Sequence, residues 1–185
     1  MDSLVQQILS ELQACVSQVS AESLAQALAL IESGPRIFVA GAGRSGLCMR
    51  ALGMRLMQLG KTVYVVGETT TPGIAVKDLL ILGSGSGQTT SLLAMARQVR
   101  SRDAKVLLFT TDVSSPIAEL ADQLVLVPAP SLGMDEGERD HVSIQPMGTL
   151  FEQSLLILCD SLILSMMRQS GVSAAQMLER HANLE

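Results

Sequence analysis

The sequence predicts an α/β fold in which an open parallel sheet of about five strands is covered by helices on both faces, with further helices at both termini. Short apolar runs alternate along the chain with longer segments of helical periodicity, a pattern typical of parallel α/β folds. The runs are continuously apolar, which indicates strands that are buried on both faces. The chain has 185 residues, so we expect a single domain spanning 1–185, because domains commonly contain about 100–200 residues.

The first half of the chain is predicted to contain two N-terminal helices, two strands and a crossover helix. Apolar residues recur at helical spacing between residues 4 and 32, and Gly34-Pro35 ends this segment. The run 36–40 predicts the first strand, and the periodic segment 44–59, which stops at Gly60, predicts a helix. The β-branched run 62–66 predicts the second strand.

The second half continues the alternation. Apolar runs at 78–82, 105–110 and 124–127 predict three further strands. Residues 88–101 have helical periodicity, and Ser114-Ser115-Pro116 after the fourth strand is typical of a helix that begins.

The C-terminal third begins with a long irregular stretch, residues 129–148, rich in Gly, Pro and charge. Loops of this length in compact domains are usually functional or disordered. A helix follows over 149–169, apolar on nearly all sides, which predicts burial, here against a partner subunit. Gly171 ends it, and Ser173 can cap a short final helix.

Charge and composition exclude several classes of protein. The net charge of −5 argues against a nucleic-acid-binding protein, which needs a broad basic surface. Three cysteines at distant positions predict neither disulfides nor a zinc site. The N-terminus lacks the basic segment of a signal peptide, and the longest apolar stretch, residues 155–167, is too short and too polar to span a membrane. We therefore expect a cytoplasmic protein with no membrane contact, and the apolar content of 48% favours a subunit interface.

Two glycine-rich turns carry the chemistry that the sequence predicts. GAGRSG at 41–46 and GSGSGQT at 83–89 both lie where a strand passes into a helix. Backbone N–H groups at a helix N-terminus bind anions, and glycine lets them approach a ligand closely. Serine and threonine hydroxyls complete a cradle suited to a phosphate monoester. The residues that we expect to bind a phosphorylated substrate are Gly43, Arg44, Ser45, Ser84, Ser86 and Thr89.

Other interpretations of the turns remain open. The first turn fits the G-x-G-x-x-G dinucleotide motif, which is weak evidence alone. Glu68 lies too late for the acidic residue that binds the ribose, and the second, hydroxyl-rich turn has no role in such a site. Both turns are also compatible with ordinary tight turns, and Arg44 with a surface residue.

Set beside SIQPMGTLFEQ at 143–153 and RHANLE at 180–185, the two turns make the chain resemble the 6-phospho-3-hexuloisomerase family of sugar isomerase (SIS) domain enzymes. The resemblance covers essentially the whole length. It implies a five-stranded, flavodoxin-like SIS fold, no cofactor and no metal. It also implies a homo-oligomer, typically a tetramer arranged as a dimer of dimers. The implied reaction converts D-arabino-hex-3-ulose 6-phosphate to D-fructose 6-phosphate, in the ribulose monophosphate pathway of formaldehyde fixation.

This reaction needs a base, and the resemblance favours Glu152 and His181 as the catalytic residues. A carboxylate or an imidazole can remove the C2 proton to form a 2,3-enediol. Glu152 also fits a capping box with Thr149, in which it would only stabilise a helix. His181 is a candidate for ring opening or proton relay, in its own site or a neighbouring subunit's, or else a cation at a helix end. His141 is predicted to be a surface residue.

Two other functions fit the same motifs. One is a different SIS aldose–ketose isomerase, such as one acting on arabinose 5-phosphate. The other is a SIS module that binds a sugar phosphate without turning it over, which would keep the serine-rich turns but need no Glu/His pair.

Overall fold

The computed structural model describes residues 2–130 and 143–184. Its centre is a parallel sheet of five strands in the order β2-β1-β3-β4-β5. The strands are β1 (Ile37–Gly41), β2 (Val63–Val65), β3 (Leu79–Gly83), β4 (Lys105–Thr110) and β5 (Gln123–Leu126). The predicted α/β fold with about five parallel strands is confirmed, and each strand lies within or close to its apolar run. His141 and the centre of the predicted long loop, residues 131–142, lie outside the described residues.

Six α-helices surround the sheet in the described part of the chain. They are α1 (Asp2–Ser17), α2 (Ala21–Ser33), α3 (Gly43–Gln58), α4 (Thr90–Arg100), α5 (Thr149–Ser170) and α6 (Ala174–Leu178). Gly171 adopts a left-handed conformation that ends α5, and Ser173 caps α6 through a full capping box. Both terminal signals predicted from the sequence are therefore confirmed.

Different helices pack against the two faces of the sheet. Alternate strand residues point to opposite faces, and one set, including Ile37 and Ile81, packs against α1, α2, α3 and α5. The other set, including Phe38 and Leu80, packs mainly against α4 and a short 3₁₀ turn, Ala118–Leu120. The consequence for the site is that α3 and α4 leave the sheet on opposite faces.

The prediction of a helix after β4 is wrong, because this connection contains only the short 3₁₀ turn. The Asp112 carboxylate accepts hydrogen bonds from the N–H and the hydroxyl of Ser114, and the Ser115 hydroxyl donates to the Asp112 carbonyl. Such local bonds compete with helix formation. β5 begins soon afterwards at Gln123, so the connection has room only for the 3₁₀ turn.

Helix α5 is buried in the fold on one face only, and its burial against a partner subunit stays a prediction. One face packs in the core through residues such as Leu155 and Leu162, while Ile157 and Leu164 are 44% and 55% exposed. By length and composition alone α5 could cross a membrane, and the bent pair α1–α2 could do so if it formed one span. Half of the apolar stretch of α5 is buried inside the fold, as in many core helices, so its length and composition are weak evidence for a membrane span.

Candidate active site

The two glycine-rich turns begin side by side. Gly41 ends β1, Gly83 ends β3, and the two residues are register partners in the sheet. Because α3 and α4 then depart on opposite faces, the turns flank the point where the strand order reverses. Ligands of open α/β sheets bind in the crevice at such a point.

Close packing of the backbone fixes the first turn. A Cβ atom on Gly41 would lie 2.8 Å from the Gly46 nitrogen, and one on Gly46 would lie 2.6 Å from the Gly41 carbonyl oxygen. Only glycine fits at either position. Gly43 has a φ of +55° with open space around it, and Ala42, the N-cap of α3, provides no capping side chain. The first turn of α3 is thus available to an anion, while the predicted binding residue Ser45 is buried.

The second turn contains a buried hydroxyl group that lacks a partner. Ser84 is 4% exposed, and its Oγ forms no hydrogen bond with the described residues. Buried polar atoms are normally paired, so this hydroxyl is suited to a bound ligand. Ser86 and Thr89 are half-buried beside it, and Thr89 is the N-cap of α4 without a side-chain capping bond.

Glu152 and Arg44 meet beside the turns. The Arg44 Nε lies 2.6 Å from the Glu152 Oε2, and the Glu152 side chain is only 17% exposed. Phe151, one residue earlier on α5, packs against Gly85 of the second turn. Residues 108 positions apart in the chain therefore place a carboxylate and a guanidinium next to the crevice.

The capping-box interpretation of Glu152 is wrong in this structure. Gly148 is the N-cap of α5, and the Thr149 hydroxyl donates to the Pro146 carbonyl at 2.7 Å. The Glu152 carboxylate is instead paired with Arg44. It follows that Arg44, which we expected to face a ligand directly, has a side-chain partner of its own.

Cys48 is a neighbour of Glu152 that the sequence did not indicate. Its thiol donates to the Glu152 carbonyl at 3.3 Å. Burial raises the pKa of the Cys48 thiol, and the negative charge of Glu152 raises it further against the opposing effect of Arg44. The group therefore stays a neutral thiol beside the carboxylate.

The segment SIQPMG before α5 is anchored by Glu11 of α1. The Glu11 carboxylate accepts hydrogen bonds from the Ser143 hydroxyl at 2.8 Å, the Ile144 N–H at 2.7 Å and the Gln145 side chain at 2.9 Å. Burial acts to raise the pKa of Glu11, but these hydrogen bonds outweigh it and lower the pKa. Part of the motif that suggested the family thus holds the start of α5 in place.

His181 lies far from Glu152 within the same chain. It borders a groove of about 410 Å³ with Arg55, Gln58 and residues of α5 and α6, and Arg180 donates to the Gln58 carbonyl at 3.1 Å. Arg44 and Arg55 lie at opposite ends of α3, about 16 Å apart at 1.5 Å per residue. The two predicted catalytic residues are therefore not brought together by one chain.

Within residues 2–130 and 143–184, no three His, Cys, Asp or Glu side chains cluster in a way that could hold a metal ion. The chemistry available at the crevice is that of backbone N–H groups, hydroxyls, one carboxylate and one guanidinium.

Comparison with known proteins shows the family to which the chain belongs. The SIS domain family model matches residues 29–131. The 3-hexulose-6-phosphate isomerase of Bacillus subtilis is 41% identical over 98% of this chain and 97% of its own length. The enzyme of the same name from Mycobacterium gastri is 43% identical over 91% of this chain and 83% of its own. A crystal structure from Methanococcus jannaschii, inferred to be a 3-hexulose-6-phosphate isomerase, superposes with a TM-score of 0.81 at 31% identity, covering 100% of both chains. The chain belongs to the SIS domain family.

Proposed function

We propose that this protein interconverts D-arabino-hex-3-ulose 6-phosphate and D-fructose 6-phosphate through a 2,3-enediol, as part of formaldehyde fixation. The observation that carries the proposal is the Glu152 carboxylate held at 2.6 Å from Arg44 beside two anion-binding turns. Relatives that bear the corresponding enzyme name match over nearly the whole chain. A binding module alone would have no need of this carboxylate.

The phosphate group occupies the crevice between the turns. It is surrounded by the N-terminal N–H groups of α3 and α4 and by the hydroxyls of Ser45, Ser84, Ser86 and Thr89. Among the described residues, the Ser84 hydroxyl has no hydrogen-bond partner. The net charge of the protein is negative, so local donors and helix dipoles supply the attraction for this anion.

Glu152 is the base of the isomerisation. Its carboxylate takes the proton from C2, the electrons of the broken C–H bond form the C2–C3 double bond, and the C3 carbonyl oxygen becomes the enediolate oxygen. The O2 proton then moves to the C3 oxygen, and Glu152 returns its proton to C3, which leaves the C2 ketone and the C3 hydroxyl of fructose 6-phosphate. The Arg44 guanidinium orients Glu152 and stabilises the negative enediolate.

His181 serves the site of a neighbouring subunit, where it opens the furanose ring or relays a proton. Arg44, beside Glu152, and Arg55, beside His181, are about 16 Å apart along α3, which argues against a role of His181 in the site of its own chain. Exposed apolar side chains on the outer helices, including Leu9 of α1 and Leu164 of α5, favour contact with further subunits. We expect a cytoplasmic homotetramer arranged as a dimer of dimers.

The test is a coupled assay of fructose 6-phosphate formation with the wild type and Glu152→Gln. We expect the variant to lose activity by at least about 100-fold, the usual contribution of a general base. Glu22→Gln is the matched control, because Glu22 also lies in the first turn of a helix; it should keep full activity.

Three results would contradict the proposal. Near wild-type turnover by Glu152→Gln would exclude this residue as the base. Absence of hexulose phosphate consumption by the wild type, together with thermal protection by fructose 6-phosphate, would favour a non-catalytic module that binds sugar phosphates. Consumption of arabinose 5-phosphate instead would indicate a different SIS isomerase.

A further inference from the structure

The carbonyl oxygen of Gly85, in the middle of the second turn, accepts three hydrogen bonds from the end of β4. The donors are the Thr110 hydroxyl at 3.0 Å, the Thr111 backbone N–H at 2.9 Å and the Thr111 hydroxyl at 2.9 Å. A carbonyl oxygen has two lone pairs, so three donors fully occupy it and fix its direction. Neither threonine was among the residues predicted from the sequence.

The direction of this carbonyl determines where the next N–H group points. No peptide bond among the described residues is cis, so the Gly85 C=O and the Ser86 N–H share one plane and point in opposite directions. In the sheet, β4 lies on one side of β3 and β1 lies on the other. Because the carbonyl faces β4, the Ser86 N–H faces the β1 side and the crevice between the two turns.

Two other carbonyl groups of the turn also accept hydrogen bonds from within the protein. The Ser84 carbonyl accepts from the Gly87 N–H at 3.2 Å, and the Gly87 carbonyl accepts from the Ile117 N–H at 3.1 Å. By contrast, the Ser86 N–H has no acceptor among residues 2–130 and 143–184. The turn thus presents the Ser86 N–H to the crevice and holds the Gly85 carbonyl away from it, as in other backbone sites for anions.

We propose that Thr110 and Thr111 are positioning residues for phosphate binding. Their hydroxyls hold the Gly85–Ser86 peptide so that the Ser86 N–H donates to the phosphate group, although neither hydroxyl contacts the ligand. This inference rests on the proposed function, in which the second turn binds the substrate phosphate. Without the hydroxyls only the Thr111 N–H holds the Gly85 carbonyl, so the peptide plane is less restrained, and a rotated plane turns a carbonyl oxygen towards the anion.

The experiment measures the dissociation constants of inorganic phosphate and fructose 6-phosphate by calorimetry for Thr111→Val and Thr111→Ser. Valine removes the hydroxyl and keeps the β-branched shape, whereas serine keeps the hydroxyl. Thr71→Val is the matched control, because the Thr71 hydroxyl also donates to a carbonyl, that of Val65, at 2.6 Å.

We expect Thr111→Val to weaken the binding of both ligands by about tenfold, as when a hydrogen bond to a charged group is lost in part. KM should rise by a similar factor while kcat changes little, because phosphate binding is shared by the substrate and the transition state. Thr111→Ser should bind both ligands as the wild type does. Thr71→Val should lose some thermal stability and keep its affinity.

Wild-type affinity in Thr111→Val, with a loss of stability like that of Thr71→Val, would overturn the inference and leave the proposed function intact. Failure of the wild type to bind either ligand would instead overturn both. Equal weakening in Thr111→Ser and Thr111→Val would show that the hydroxyl is not the cause and would also refute the positioning role.

Discussion

Substitution of Gly87 by alanine tests how tightly the second turn is packed. Gly87 has a φ of +60°, and an added Cβ would overlap both the Cβ and the Oγ of Ser115 in the connection after β4. The left-handed conformation costs a residue with a side chain about 1–2 kcal/mol. Overpacking in a closed site costs about 1–3 kcal/mol more. We therefore expect Gly87→Ala to lower the free energy of unfolding by about 2–5 kcal/mol.

The assay is thermal and urea unfolding of Gly87→Ala beside a control that isolates the backbone cost. Gly171 has a φ of +71° and nothing within 4 Å of an added Cβ, so Gly171→Ala should lose only about 1–2 kcal/mol. At about 2–4 °C per kcal/mol for a chain of this size, Gly87→Ala should melt lower by roughly 10 °C. Equal losses in the two variants would refute the argument that Ser115 closes the space beneath the turn.

Two further predictions concern Glu11 and His181. Because hydrogen bonds lower the pKa of Glu11 in the folded protein, its stabilising effect is present above the ordinary pKa of glutamate and is lost as the pH falls through the lowered value. Glu11→Gln should therefore lose about 1–3 kcal/mol at pH 7, with a difference from the wild type that shrinks on acidification; a difference independent of pH in urea unfolding would contradict this. If His181 serves a neighbouring subunit, mixing Glu152→Gln and His181→Ala subunits should restore activity to roughly a quarter of the wild-type value. Half of the randomly formed dimers are hybrids, and each hybrid has one intact site out of two. Activity no greater than the sum of the separate variants would place His181 in its own chain's site.

The strands and the two turns were predictable because their signals are local. Five continuous apolar runs gave the strands, and the glycines at 41–46 and 83–89 mark strand-to-helix turns that the structure confirms. The SIS family resemblance is likewise confirmed by the domain match and by relatives at 41–43% identity. The prediction of a helix after β4 was wrong because the Asp112 side chain bonds to Ser114. This local hydrogen bond competes with helix formation, and the Ser-Ser-Pro pattern does not reveal it.

The contacts within the candidate site were not predictable, because they join distant parts of the chain. Glu152 fitted a local capping pattern, yet its carboxylate pairs with Arg44. The hydrogen bonds from Thr110 and Thr111 to the Gly85 carbonyl form because β3 and β4 are neighbours in the sheet. The order of the elements along the chain does not establish that pairing. The roles of Glu152, His181 and the turn hydroxyls remain predictions that the experiments above address.

The anchoring of Ser143, Ile144 and Gln145 by Glu11 has a consequence for how the protein is made. These partners are separated by 132 to 134 positions in the sequence, and contacts between such distant residues form slowly because a long loop must close first. The N-terminal helix leaves the ribosome long before the segment that it holds. Both turns are therefore synthesised before the segment that positions Glu152. We expect a nascent chain that ends before α5 to contain the turns proposed to bind phosphate and to lack the proposed base, so that catalytic competence arises only after α5 has been synthesised.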